Sequence, residues 1–224
     1  MTRRLVLLCL VATAAHAQEY ERLLADARRL LADESRPVGE RFDAQYERLG
    51  QVALAHPDRW EAYFERGENR CNRAYHFRAE ADIRLADARA TGMDDETMAM
   101  ARKEVEAQID RWRAEAYREF SVAEDILRRE RLWRPDHEIL LFANAAMKFA
   151  GREYMRTHDG KRGAIEDFKE LARRGFQPDR CMSHIALCYL DAGHEAYLKD
   201  DADEAQRLWD EGLKWAKNRF WRRV

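Results

Sequence analysis

The chain of 224 residues carries 40 Lys and Arg against 42 Asp and Glu, a formal net charge of -2, with 37% charged and 46% hydrophobic residues. Enough apolar surface is present for a core, which excludes disorder, and the balanced, interspersed charge excludes nucleic-acid binding by phosphate neutralisation alone. Only 4 Pro and 10 Gly occur, too few turn residues for a fold of many short strands, and Ala, Leu, Glu and Arg dominate; the expectation is an all-α protein.

At the N-terminus, Arg3 and Arg4 precede an apolar run from Leu5 to Ala15, and the small-x-small triplet Ala15, His16, Ala17 follows. This order reads as a secretory signal peptide over residues 1–17, leaving residues 18–224 as a single helical repeat domain in the periplasm or outside the cell. The apolar run is shorter than the roughly 18 residues that span a bilayer, and no later segment is long enough, so no transmembrane segment is expected in the mature chain. Cys9 lies within the run, away from the position of a lipoprotein cysteine. Removal of the leader takes Arg3 and Arg4, so 40 basic residues become 38 against 42 acidic ones, a formal charge of -4. The twin arginines are also compatible with a folded-export signal.

The dipeptide Pro-Asp recurs at 57–58, 135–136 and 178–179, each time before an amphipathic run. Proline ends one element and Asp is expected to cap the next helix. The intervals fit a unit of about forty residues with one boundary lacking its proline, at Gly92-Met93-Asp94-Asp95. Between boundaries the pattern predicts about nine helices, over 19–33, 38–55, 58–72, 74–90, 94–130, 136–156, 161–174, 179–198 and 201–219, joined as antiparallel hairpins. In the long central helix, Met98, Ala101, Val105, Ile109, Trp112, Ala116, Phe120, Ala123 and Leu127 recur every 3.6 residues on average, so one stripe faces one neighbour along a straight helix.

From Met147 to Pro178 the large, small and aromatic residues fall at Met147, Ala150-Gly151, Tyr154, Ala164, Phe168, Leu171 and Pro178. This stretch resembles the tetratricopeptide repeat. A second copy follows in Tyr189, Ala192-Gly193, Ala196-Tyr197, Ala205, Trp209 and Gly212, and a degenerate one lies at Tyr63, Gly67, Ala79, Ile83 and Ala86, with Arg66 and Arg70 at places usually apolar or Tyr. Ala116, Phe120 and Ala123 look like a second helix whose first has fused into the preceding segment. The resemblance implies hairpins stacked as a right-handed α-solenoid, with Gly151 and Ala164 touching backbone to backbone, and a concave groove lined by each first helix. Carried over by the matches to Gly67, Gly151 and Gly193, the groove positions are Phe64, Glu68 and Asn72, then Lys148, Arg152 and Met155, then Leu190, His194 and Tyr197. Lys148 and Arg152 could hold a carboxylate, although the Asn-and-Lys clamp of some family members is missing.

Signals for chemistry are sparse. There is no Gly-rich phosphate loop, no Gly-x-Ser-x-Gly elbow and no His-Glu-x-x-His helix, and Ser35, Ser121 and Ser183 have no readable His and Asp partners. His158-Asp159 and Asp200-Asp201 read as turn and capping residues. Cys181, His184 and Cys188 fall at i, i+3 and i+7, soft ligands on one helix face, but the two thiols are about 10.5 Å apart along the axis, beyond a disulfide and too far for one ion without bending the helix. The basic, aromatic tail from Lys214 to Val224 reads as a cap on the last helix, or as an adhesive patch for an anionic lipid or a partner. The expected function is therefore a non-enzymatic scaffold that binds a protein or peptide partner of the cell envelope, with no cofactor and no metal. A small-molecule carrier, or a metal- or haem-binding domain using Cys181 and His184, are the alternatives.

Overall fold

The computed structural model describes residues 2–129, 135–157, 160 and 162–221, with side chains for 17–129, 137–157, 160 and 162–216. The described residues are all-helical, with eight helices, α1 (Thr2–Leu31), α2 (Val38–Ala55), α3 (Trp60–Ala90), α4 (Asp95–Arg129), α5 (Pro135–Ala150), α6 (Ala164–Arg173), α7 (Pro178–Tyr197) and α8 (Ala202–Trp221). The chain forms two compact units, residues 1–126 and 127–224; in the first α1 packs on α2 and α2 on α3, and in the second α5 packs on α6, α6 on α7 and α7 on α8. None of the described helices is long and apolar enough to cross a membrane.

In the first unit, Tyr20, Leu24 and Ala27 of α1 close a core with Leu49, Val52 and Ala53 of α2 and Ala62 of α3. The two helices expected over 58–72 and 74–90 are one, because no Gly or Pro interrupts Cys71-Asn72-Arg73 and the helical hydrogen bonds simply continue. Gly67 and Ala79 therefore share a helix and cannot form a hairpin. The close approach falls elsewhere: a Cβ on Gly67 would stand 2.5 Å from the Phe120 ring of α4. From there α3 and α4 run antiparallel, with Arg66 paired to Glu119 at 3.1 Å, Arg70 to Glu115 at 2.7 Å, Phe77 against Trp112 at 5.2 Å, and Arg78 to Glu106. The long stripe behaves as its period dictates, since Met98, Ile109, Ala116, Phe120, Ala123 and Leu127 are buried and Ala101, Val105 and Trp112 half-buried.

The expected turn at Gly92 forms at φ 90°, and Asp94 Oδ1 accepts the Thr97 backbone N–H at 2.8 Å, capping α4. At Pro57-Asp58 and Pro178-Asp179 the capping expectation fails, and the side chain of Asp136 lies outside the described residues. Pro135 and Pro178 are themselves the first residues of α5 and α7, where a missing N–H costs nothing, and Arg59 rather than Asp58 precedes α3.

The second unit gathers Leu141, Ala145, Tyr154, Ala164, Ile165, Phe168, Leu171, Cys181, Ile185, Cys188, Tyr189 and Leu208 around α6 and α7. Here the expected helix 136–156 stops at Ala150, and Arg152 takes the left-handed φ of 62°. The chain then loops back through an isolated antiparallel bridge between Arg156 and Arg162. Gly151 is exposed, and the nearest atoms a Cβ there would meet are the Met147 and Lys148 carbonyls of the preceding α5, at 3.4 and 3.7 Å, and Glu153 Cγ at 4.0 Å. The backbone-to-backbone contact expected of Gly151 belongs instead to Gly163, whose Cβ would collide with the Tyr154 and Met155 main chain. In the next hairpin the assigned match does make a close contact: a Cβ on Gly193 of α7 would lie 2.5 Å from the Trp209 ring and 3.1 Å from the Ala205 carbonyl of α8.

Candidate functional site

Three of the expected groove residues, Phe64, Glu68 and Asn72, line one cleft of about 450 Å³ in the first unit. Their spacing of four keeps them near one face of α3, and the same face adds Trp60, Glu61, Glu65 and Asn69. Arg28 and Leu31 of α1 and Gln45 of α2 complete the walls. The aromatic floor is continuous with the core: Trp60 meets Phe64 edge-on at 5.9 Å, and Phe64 lies 5.6 Å from Phe120.

The polar groups of the cleft are unevenly satisfied. Arg59 binds Glu61 at 3.0 Å, and Arg28 donates to Glu65 Oε1 through Nε at 2.9 Å and through Nη2. Glu68 is exposed and has no ion pair among the described residues; partial desolvation by the cleft walls, then the nearby Glu65 charge, raise its carboxyl above the ordinary range. Asn69 is only 2% exposed. Its Nδ2 donates to the Phe42 carbonyl at 2.9 Å and to Gln45 Oε1 at 2.7 Å. Since a carbonyl can only accept, the orientation of the amide is fixed. Its Oδ1 is buried without a donor among the described residues.

The expected positions in the second unit fare differently. Lys148 is not a groove residue. It is buried, its Nζ 2.5 Å from Asp167 Oδ2 on α6, because α5 turns that face toward α6. Arg152 is exposed on the loop after α5 and sits 3.6 Å from Glu195, and Met155 is exposed on the same loop. Leu190, His194 and Tyr197 are exposed on α7 at i, i+4 and i+7, with Tyr197 6.0 Å from the Trp209 ring.

Arg28, Gln45 and Trp60 of the cleft were not singled out by sequence reasoning, nor was Asn69. The helical period from Phe64 could have added Trp60, but Arg28 and Gln45 come from other helices and carry no sequence signal. Among the metal-ligand candidates, Cys181 and Cys188 are buried free thiols that burial pushes up to about 11 and about 12, and Cys71 to about 12, so all three are held as thiols. Cys181 Sγ donates to the Phe176 carbonyl, and His184 lies within 6.1 Å of the rings of Phe142, Phe149 and Phe168. No group of three metal-ligating side chains occurs among the described residues. Ser183 donates to the Asp179 carbonyl within its own helix at 2.8 Å, and Asp201 Oδ1 caps α8 through the Glu204 N–H at 3.1 Å. His158-Asp159 and the side chains of the tail beyond Ala216 lie outside the described residues. No family model, curated protein or solved structure matches the chain.

Proposed function

We propose that the chain is an exported, non-enzymatic scaffold of tetratricopeptide-like helical hairpins that binds an extended peptide or protein segment of the cell envelope. The observation that carries this reading is the meeting of Phe64, Glu68 and Asn72 in one open cleft. It combines half-buried aromatic area with unspent polar groups, the pairing that peptide grooves use for affinity and specificity. The close α7–α8 contact at Gly193 supports the repeat-like reading of the last hairpin. Export is supported by the order of charged, apolar and small residues over 1–17, and the buried positions of α1, from Tyr20 to Ala27, all survive cleavage after Ala17.

The test is selection of random 12-residue peptides displayed on phage against residues 18–224, in parallel with a Phe64→Ala variant whose melting is checked first. Enriched sequences that bind the parent at least tenfold better than the variant support the cleft. Absence of enrichment, or enrichment indifferent to Phe64, rejects it. N-terminal sequencing of exported material should begin at Gln18, and an intact Met1 there would reject the export reading.

A further inference from the structure

The cleft is acidic. Its lining carries the carboxylates of Glu61, Glu65 and Glu68 against the single guanidinium of Arg28. Two of those carboxylates are already engaged by arginines, Glu61 by Arg59 and Glu65 by Arg28. That leaves the Glu68 carboxylate and, beside it in the chain, Asn69 Oδ1, buried with no donor among the described residues. An acceptor taken out of water without a donor costs about 1–3 kcal/mol, and a ligand that brings donors to this place removes that penalty. The Glu68 carboxylate and Asn69 Oδ1 are both acceptors, and Trp60 and Phe64 supply ring faces and apolar area for a long aliphatic stem.

We infer that the Phe64–Glu68–Asn69 cleft is a socket for one Lys or Arg side chain of the bound peptide, whose cationic head donates to the Glu68 carboxylate and to Asn69 Oδ1 while its stem lies on Phe64 and Trp60. The inference rests on the peptide-binding reading above and specifies its ligand. Arg28 on Glu65 is an internal precedent, a guanidinium held by a carboxylate of this same wall through Nε and Nη2. The charge logic is opposite to that of a groove that captures a C-terminal carboxylate. Acidic segments are repelled by Glu68 and Glu61, and neutral ones forgo the charge pairing with Glu68.

The experiment uses the same displayed 12-residue library with residues 18–224. Enriched peptides are expected to share Lys or Arg at one aligned position. In a synthetic copy of the strongest binder, replacing that residue by norleucine, or by citrulline for Arg, should weaken binding at least tenfold. Glu68→Gln should remove most of that difference, and Glu68→Lys should disfavour the basic peptide outright. Both changes are on a partly solvated side chain, so melting should stay near the parent's. Peptides that enrich through Phe64 yet show no basic residue, or lose nothing with norleucine, overturn the socket and leave the peptide-binding reading standing. If no peptide enriches while spermidine binds the parent and not Glu68→Gln, the cleft takes a free amine, and the peptide ligand is refuted together with the reading beneath it.

Discussion

Lys148 Nζ lies 2.5 Å from Asp167 Oδ2, and both side chains are buried, one on α5 and the other on α6. Arg162 stands 3.5 Å from the other oxygen of the same carboxylate and is itself bound to Glu170 at 2.6 Å. The pair joins α5 to α6 at the place where the chain leaves helical geometry after Ala150. Removing Lys148 leaves the buried Asp167 carboxylate with Arg162 as a more distant cation, so Lys148→Met should destabilise the protein by up to about 3–5 kcal/mol. The double variant Lys148→Met with Asp167→Leu should recover most of that loss, because Arg162 keeps Glu170. Chemical denaturation of the three proteins checks this; a single variant as stable as the parent would refute it.

Glycine positions separate two kinds of site. Gly193→Leu must drive its side chain into the Trp209 ring and the Ala205 carbonyl, and should cost at least about 1–3 kcal/mol. Gly151→Ala places a methyl at ordinary contact distance from the preceding α5, and should change stability by about 0.5 kcal/mol or less. Thermal melting distinguishes the two, and equal losses would mean that Gly151 has a neighbour of its own.

Arg70 is buried, its guanidinium 3.5 Å above the Tyr46 ring, 3.1 Å from Asp43 and 2.7 Å from Glu115. A lysine can carry the charge but not the flat stacked fork. Arg70→Lys should therefore lower stability by about 1–3 kcal/mol, by losing the hydrogen bond to Asp43, the ion pair with Glu115 and the stacking on Tyr46 together. Urea unfolding measures the change; a loss within error would show that charge alone suffices at that site.

His184 is ringed by Phe142 and Phe149 of α5 and Phe168 of α6, with Arg180 the cation beside it on α7. Burial disfavours the charged imidazole and lowers its titration below 6.5, the Nδ1 contact with the Arg180 carbonyl at 3.0 Å offsets part of this, and Arg180's charge deepens it. The folded chain thus holds its proton less tightly than the unfolded one. The stability this contributes is present above pH 6.5 and is lost as pH falls through the lower folded value. Against His184→Leu, the parent should lose extra stability on acidification below that pH, and a constant difference between the two across pH 5 to 8 would contradict the shift.

Buried thiols make a chemical prediction. With Cys181 held up at about 11 and Cys188 and Cys71 at about 12, iodoacetamide at pH 8 should leave Cys181 and Cys188 unmodified in the native protein and label all three in denaturant. Mass spectrometry counts the adducts.

What residue order settles by itself is local. Composition and the 3.6 period determine that the chain is helical, and the stripe from Met98 to Leu127 and the stop at Gly92 with its Asp94 cap were readable, because helix propensity, periodicity and capping act over a few residues. The face of α3 bearing Phe64, Glu68 and Asn72 was readable for the same reason. Which helix meets that face was not. Gly67 opposes Phe120, fifty-three residues away in sequence, rather than Ala79, since 58–72 and 74–90 fuse and close approach is decided by which surfaces fit together. Lys148 shows the same limit: its helical position is compatible with solvent or core, and only the placement of Asp167 across α6 decides that it is buried. The cleft's unspent acceptor is likewise tertiary. Asn69 is committed to Phe42 and Gln45 of α2, and the oxygen left over becomes visible only when α2 and α3 are packed.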